Sequence, residues 1–180
     1  MRTAVTLILA AGLAAGSASR GAAASRPADV GAVAEATNEF GFRLLESLCR
    51  AEPDRNVFIS SASVGMALGM TLNGAAGRTR EAMAMTLGLT GVSLADVNQG
   101  HKALKAMLSS PDPKVRLDIA NSIWAHKGVS FVPAFLAANR EFFGAELRVL
   151  DFALPASVNT INGWVAKSTN NRITSIINQL

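Results

Sequence analysis

Residues 56–89, NVFISSASVGMALGMTLNGAAGRTREAMAMTLGL, form the stretch on which the fold depends. A short run rich in β-branched and aromatic residues leads into Ser60, Ser61 and Ser63, residue types whose hydroxyls cap helix starts. Residues 64–72 carry no charge, which predicts a helix enclosed on all sides. Asn73-Gly74 predicts its end in a left-handed turn. So short a helix is not stable alone, so we expect it to be the central pillar of a larger structure.

Apolar periodicity and breaker residues predict the other elements. Helices are predicted over residues 28–49, 80–87 (capped by Thr79 and ended by Gly88), 94–108, from Pro133 to Gly144, and 158–168, where Asn170-Asn171 closes the last one. Strict alternation predicts strands over residues 115–124 and 146–152.

The first 26 residues differ in composition from the rest. Arg2 precedes an uncharged run of Ala, Leu and Ile, and small residues suitable for a cleavage site follow. This pattern is typical of a secretory signal peptide over residues 1–26, which predicts an extracellular protein, or a periplasmic one in a bacterium. An organellar transit peptide is the alternative, because Arg2, Arg20 and Arg26 lie in a stretch without acids.

Charge and motifs exclude several functional classes. Without the three leader arginines the chain has 14 basic and 13 acidic residues, and no basic stripe indicates a nucleic-acid partner. Lys102 and Lys105 form one small basic cluster, interpreted as a solvated helix face. The serines of residues 60–63 lack a nucleophile elbow or a Ser-x-x-Lys pair, and no phosphate loop or cluster of metal ligands occurs. We therefore expect neither an enzyme nor a bound metal or cofactor, and no membrane segment in the mature form.

Cys49 is the single cysteine, so no internal disulfide can form. Two interpretations remain open at this stage. Cys49 is either a small buried hydrophobic residue near the end of the first helix or a reactive or intermolecular thiol.

The order of these residues resembles the serpin family. The first set matches the family's helix B–helix C region and consists of Asn56, Phe58, Ser60, Ser63, Leu68, Gly74, Ala75, Thr79, Leu87 and Gly88. The downstream matches are Ile119 to Trp124, Phe131, Phe135, Phe142-Phe143, Val149-Asp151-Phe152, and Ile161-Asn162-Gly163-Trp164-Val165 with Thr169 and Ile173. Ser61 stands where the family usually has proline. The resemblance runs over residues 28–180 in one order.

This resemblance implies an α+β fold, with helices A–F and the first strands of sheets A and B. Residues 28–180 would be the N-terminal part of a serpin domain, incomplete because it ends after helix F. The reactive-centre loop, and with it the bait residue, would lie outside these residues. We therefore expect the 180 residues alone to be inactive and to leave apolar strand faces, bearing Leu117, Ile119 and Ile123, without partners.

For the intact molecule the resemblance implies an inhibitor of serine or cysteine endopeptidases that acts as a suicide substrate. The cleaved loop would insert into sheet A as a new strand. The resemblance places Asn56, Ser60, Ser63, Asn162 and Trp164 in the region that controls sheet opening. The alternative for these residues is that they are ordinary caps and packing residues. A non-inhibitory relative, acting as carrier, chaperone or storage protein, is the alternative function, and a polysaccharide partner is not expected.

Overall fold

The computed structural model describes residues 30–109, 112 and 114–180, so the predicted leader lies outside the described residues. The described helices are α1 (Val30–Ala51), α2 (Ser61–Leu72), α3 (Gly77–Thr86), α4 (Leu94–Ser109), α5 (Pro133–Phe143) and α6 (Pro155–Ser168). The described strands are β1 (Ser122–His126) and β2 (Glu146–Leu150). The chain divides into two compact units, residues 24–150, which hold α1–α5 and both strands, and residues 151–180, which hold α6.

Two apolar clusters form the core of the first unit, and α2 contributes to both. Leu72 packs with Val33 and Phe40 of α1 and with Val97 of α4. Met66 and Met70 pack with Phe143 and Ala145, at the end of α5 and just after it. The prediction that α2 is a central pillar of the fold is therefore confirmed within this unit.

The prediction that α2 is enclosed on all sides is wrong. Ser63, Ala67 and Thr71 recur every fourth residue and are exposed, whereas Gly65, Met66, Gly69 and Met70 on the other side are buried. A lack of charge does not require burial, because small side chains such as Ala, Ser and Thr cost little at a water-facing position.

The end of α2 also differs from the prediction. Asn73 keeps a right-handed helical conformation (φ −60°, ψ −26°), and Gly74 is not among the glycines with positive φ. Gly74 instead lies close to a neighbouring ring, because an added Cβ would lie 3.1 Å from Phe135 Cε2.

The two strands pair in parallel, with Ser122 opposite Glu146 and His126 opposite Leu150, and α5 connects them. The predicted strand over residues 115–124 therefore begins too early and ends too early, because the observed strand β1 runs from Ser122 to His126. Alternation marks residues that can be extended, but a strand needs a hydrogen-bonded neighbour, and β2 supplies five residues. Leu117 is exposed as expected, whereas Ile119 and Ile123 are partly buried against the Met66–Phe143 cluster.

Several boundaries move by a few residues. The helix predicted over residues 80–87 begins at Gly77, its N-cap is Ala76 without a side-chain bond, and Thr79 does not cap it. The last helix begins three residues earlier than predicted, at Pro155, because proline is favoured at the first helical position. Cys49 is exposed, so the interpretation of a small buried residue is wrong.

Candidate functional site

Ser60 and Ser63 form a hydroxyl cap at the start of α2. Ser60 has an extended backbone (φ −112°, ψ 102°), and its Oγ accepts a hydrogen bond from the Ser63 amide at 3.3 Å. The Ser60 hydroxyl donates to Ser63 Oγ at 2.9 Å. The structure therefore brings these two predicted site residues together, and both are exposed.

Asn56 lies on the segment that leads into this cap. Along residues 56–60 the side chains alternate between exposed and partly buried, and Phe58 is 96% exposed. Within the described residues this segment pairs with no strand. Asn56 is exposed and does not take part in the Ser60–Ser63 cap.

Ser61 is the first residue of α2 and contacts α1. An ideal Cβ added at Gly41 would collide with the Ser61 side chain, so α1 needs glycine at this point to approach the start of α2. The first helical position is where proline is over-represented in proteins. The serine found here therefore occupies a position whose backbone suits the proline that the family usually has.

Asn162 and Trp164 lie on α6, in the unit of residues 151–180. The Asn162 amide holds the chain that follows α6: its Nδ2 donates to the Ile177 carbonyl at 2.8 Å, and its Oδ1 accepts from the Ile176 amide at 3.0 Å and the Ile177 amide at 3.3 Å. Trp164 is partly buried. The Asn162 side chain thus holds the backbone of Ile176 and Ile177 against α6.

The prediction that the lysine pair forms a solvated face is right for Lys102, which is exposed, and wrong for Lys105, which is partly buried. Lys105 Nζ donates to the Phe143 carbonyl, at the end of α5, at 2.7 Å, and burial lowers the pKa of this amine. Lys102 Nζ lies 4.0 Å from a Glu141 carboxylate oxygen and 5.5 Å from the centre of the Phe142 ring. Both lysines are used to hold α4 against α5, and Asn121 Nδ2 donates to the same Phe143 carbonyl at 3.0 Å.

Sequence reasoning missed a buried polar cluster at the other end of α2. Asn73, Asn98 and Asn139 share hydrogen bonds, and His101 lies next to them on α4. One signal was available for His101, which lies four residues after the apolar Val97 and three before Leu104, on the same face of a helix. The pairing of the asparagines had no signal, because they are 25 and 66 residues apart along the chain.

Neither a metal site nor a membrane span is found in the part of the chain that the structure describes. There, no group of three or more His, Cys, Asp or Glu side chains could hold a metal ion. None of the described helices combines the length and hydropathy of a membrane span.

Residues 35–180 match the model of the family described as "Serpin (serine protease inhibitor)". The protein belongs to the serpin family. Iripin-2 of Ixodes ricinus is 34% identical over 149 residues, covering 81% of this chain and 37% of the relative. Serpin B9 of Homo sapiens is 33% identical over 147 residues, covering 81% of this chain and 39% of the relative.

Solved serpin structures share the fold. The structure of cleaved kallistatin complexed with heparin superposes with a TM-score of 0.76 and 25% identity, over 84% of this chain and 46% of that one. The predicted family and α+β fold are thus confirmed. The chain spans about two fifths of the length of the curated relatives named above.

The names of other relatives point to more than one activity. Leukocyte elastase inhibitor of Bos taurus is 33% identical and corticosteroid-binding globulin of Oryctolagus cuniculus is 31% identical to this chain. The relatives of this chain thus include one protein named as an inhibitor and one named as a binding globulin.

Proposed function

We propose that the protein is a serpin-type inhibitor of serine or cysteine endopeptidases. In this proposal a protease attacks a reactive-centre loop as a substrate, and the cleaved loop inserts into sheet A while the protease remains attached. The observation that carries the proposal is the match of residues 35–180 to a family described as protease inhibitors rather than catalysts.

Within this mechanism we assign Ser60 and Ser63 to the control of sheet opening, with Asn56 on the approach segment. Support comes from their position: the two hydroxyls meet at an exposed helix start, beside the exposed Phe58. An apolar side chain exposed to that extent favours burial under another part of a protein. We place Asn162 and Trp164 on the helix that must be accommodated during insertion, by resemblance to helix F.

One test uses a pair of matched serine variants in the intact inhibitor, expressed from the reading frame extended beyond the codon of Leu180. We expect wild-type protein to form a denaturant-resistant covalent complex with a serine protease. Ser60→Ala should change the fraction of molecules cleaved without complex formation, because it loosens the cap. Ser61→Ala keeps the Cβ that contacts Gly41 and should match wild type.

The 180-residue chain on its own should form no such complex, and purified chain mixed with a protease panel tests this. A covalent complex formed by these residues alone would contradict the assignment of the reactive bond to a later segment. Absence of a complex with the extended protein would contradict the inhibitor proposal itself.

A carrier or other non-inhibitory role is the second candidate, favoured by the relation to corticosteroid-binding globulin. The two candidates differ in the hinge of the loop rather than in the residues described here. Small residues before the scissile bond in the downstream sequence would favour inhibition, whereas bulky residues or proline there would favour the carrier.

We further propose that residues 1–26 are a signal peptide and that the mature protein is secreted. The supporting observation is the uncharged run of residues 3–19 after Arg2, which is rich in small and apolar residues. N-terminal sequencing of protein recovered from the medium tests this. A mature protein found inside an organelle would favour the transit-peptide alternative.

We do not expect Lys102 and Lys105 to bind a sulfated polysaccharide, although two of the similar structures are complexes with heparin. The two amines already contact Glu141 and the Phe143 carbonyl. Retention on a heparin column should be the same for wild type and Lys102→Ala.

A further inference from the structure

Four polar side chains meet inside the first unit where α2, α4 and α5 come together, and we call them the polar joint: Asn73, Asn98, His101 and Asn139. Asn73 Nδ2 donates to Asn98 Oδ1 at 3.0 Å and to Asn139 Oδ1 at 3.2 Å, and Asn98 Nδ2 donates to Asn73 Oδ1 at 2.9 Å. Asn139 is 0% exposed and His101 is 2% exposed. Each amide oxygen of the three asparagines already accepts a hydrogen bond.

The four residues of the polar joint lie in two adjacent layers of side chains, the second of which also contains Gly69 and Phe143. Asn73, Asn98 and Asn139 form one layer. One helical turn away on the same three helices lie Gly69, His101 and Phe143. The His101 and Phe143 rings have centroids 5.3 Å apart. An added Cβ at Gly69 would lie 2.9 Å from His101 Nε2, so the imidazole is tightly held.

Two buried polar atoms of the joint have no hydrogen-bond partner among the described residues, His101 Nδ1 and Asn139 Nδ2. A buried polar atom left without a partner is costly, and a buried charge without an opposite charge is more so. A proton added to Nδ1 would create a buried cation whose new N–H has no hydrogen-bond partner among the described residues.

No described carboxylate is positioned to stabilise that cation. α2 has no charged residue, and the charged residues of α5, Arg140 and Glu141, are exposed. On α4, Lys102 reaches towards Glu141, and Lys105, one turn beyond His101, adds a positive charge at the end of α5. The remaining charged residues of α4 and α1 are Asp96, which bonds Ser93, and five exposed residues of α1: Glu35, Glu39, Arg43, Glu46 and Arg50. Those of α3, Arg78, Arg80 and Glu81, are exposed as well.

We propose that the polar joint is an acid-labile contact, in which protonation of His101 loosens the packing of α4 and α5 against α2. This inference concerns the helical core and does not depend on the inhibitor proposal. It assigns to His101 a role in setting the pH range over which the fold is stable.

The direction of the pH effect follows from linkage. Burial lowers the pKa of His101 from 6.5 to about 4. Between these values the unfolded chain binds a proton that the folded chain does not, so the equilibrium constant for folding decreases as the pH falls from 6.5 to 4. Above pH 6.5 both states are neutral and the effect vanishes. For this one group the full decrease is about 300-fold.

NMR titration of the His101 imidazole in wild-type protein is the first test. We expect its resonance to stay unchanged as the pH falls from about 7 to about 5.5, because burial lowers the pKa of His101 to about 4. A His101 resonance that titrates near the ordinary histidine pKa of 6.5 would overturn the proposal. This measurement uses wild-type protein and needs no variant to fold.

Urea unfolding of wild type and His101→Phe at pH 7 and pH 4.5 is the second test. We expect the folding constant of wild type to decrease about 60-fold more than that of His101→Phe over this range, because only wild type has the buried imidazole. Equal losses in His101→Phe and wild type would also overturn the proposal.

Discussion

The two ends of α2 place their polar side chains in opposite environments, one exposed to solvent and one in the interior. At the start, Ser60 and Ser63 bond one another and the backbone at the protein surface. At the other end, Asn73 bonds Asn98 and Asn139 in the interior, and one donor of Asn139 has no partner among the described residues. The helix between them carries no charge.

The two ends of α2 differ in whether water can replace a lost hydrogen bond. A lost bond at the exposed start is compensated by solvent, so the net cost is that of an ordinary cap. In the joint, each lost partner leaves a buried group that keeps its full desolvation cost. Substitutions at the two ends should therefore differ in magnitude, although both remove hydrogen bonds made by short polar side chains.

Asn73→Ala should have the largest effect. It removes the partners of Asn98 and of Asn139 Oδ1, and we expect the free energy of unfolding in urea to fall by about 3 kcal/mol. Thr71→Ala on the exposed side of the same helix removes a bond to the Ala67 carbonyl and is the matched control. Its expected change is within about 0.5 kcal/mol. Equal losses in the two variants would show that burial is not what distinguishes the ends.

Gly69→Ala should come next. The new methyl group would lie 2.9 Å from His101 and 3.2 Å from Phe143, and overpacking of this kind costs about 2 kcal/mol. Gly163→Ala on α6 is the control, because an added Cβ there meets nothing within 4 Å. That variant should gain up to about 1 kcal/mol from helix propensity, measured by thermal unfolding. A neutral Gly69→Ala would indicate that the joint has room to adjust.

Ser60→Ala should have a smaller effect than either change at the joint. Loss of the cap to the Ser63 amide should lower the unfolding free energy by about 1 kcal/mol. Ser61→Ala retains the Cβ and removes no side-chain hydrogen bond of the Ser60–Ser63 cap, so it should be close to wild type. If Ser60→Ala and Ser61→Ala lower the unfolding free energy in urea equally, the Ser60 hydroxyl does not stabilise the start of α2.

Ser61→Pro should give the smallest change, and in the stabilising direction. Position 61 is the first residue of α2, where proline has a suitable φ and the amide needs no helical acceptor. A gain of about 0.5 kcal/mol is expected because the unfolded chain loses freedom. A lower melting temperature than wild type would mean that the ring does not fit beside Gly41.

The best-predicted element is α5, and the reason is local. Pro133 begins it, and Gly144 ends it with φ 60°, a conformation that glycine adopts without strain. Asn170 and Asn171 likewise follow the last helix with positive φ values of 52° and 60°, as the sequence indicated for its end. Signals of this kind act within one or two residues and can be read from the chain alone.

The strands, the exposure of α2 and the polar joint depend on distant residues. The extent of β1 is set by β2, 24 residues further on in register. The exposed positions of α2 are those that no described element covers, a property that composition does not encode. The burial of Lys105 was not predicted for a similar reason, since the Phe143 carbonyl that accepts its hydrogen bond lies 38 residues away.

The candidate site was only partly accessible from sequence. The Ser60–Ser63 cap follows from residue type and spacing. The role of Asn162 as a clamp on Ile176 and Ile177 does not, because it needs the chain after α6 to fold back onto that helix.

One comparison tests the contrast between the ends of α2 most directly: urea unfolding of wild type, Ser60→Ala and Asn73→Ala in parallel at pH 7. We expect the loss of unfolding free energy in Asn73→Ala to be at least about twice that in Ser60→Ala. Equal losses, or a larger loss at Ser60, would contradict a helix with a solvent-compensated start and a buried polar joint at its end.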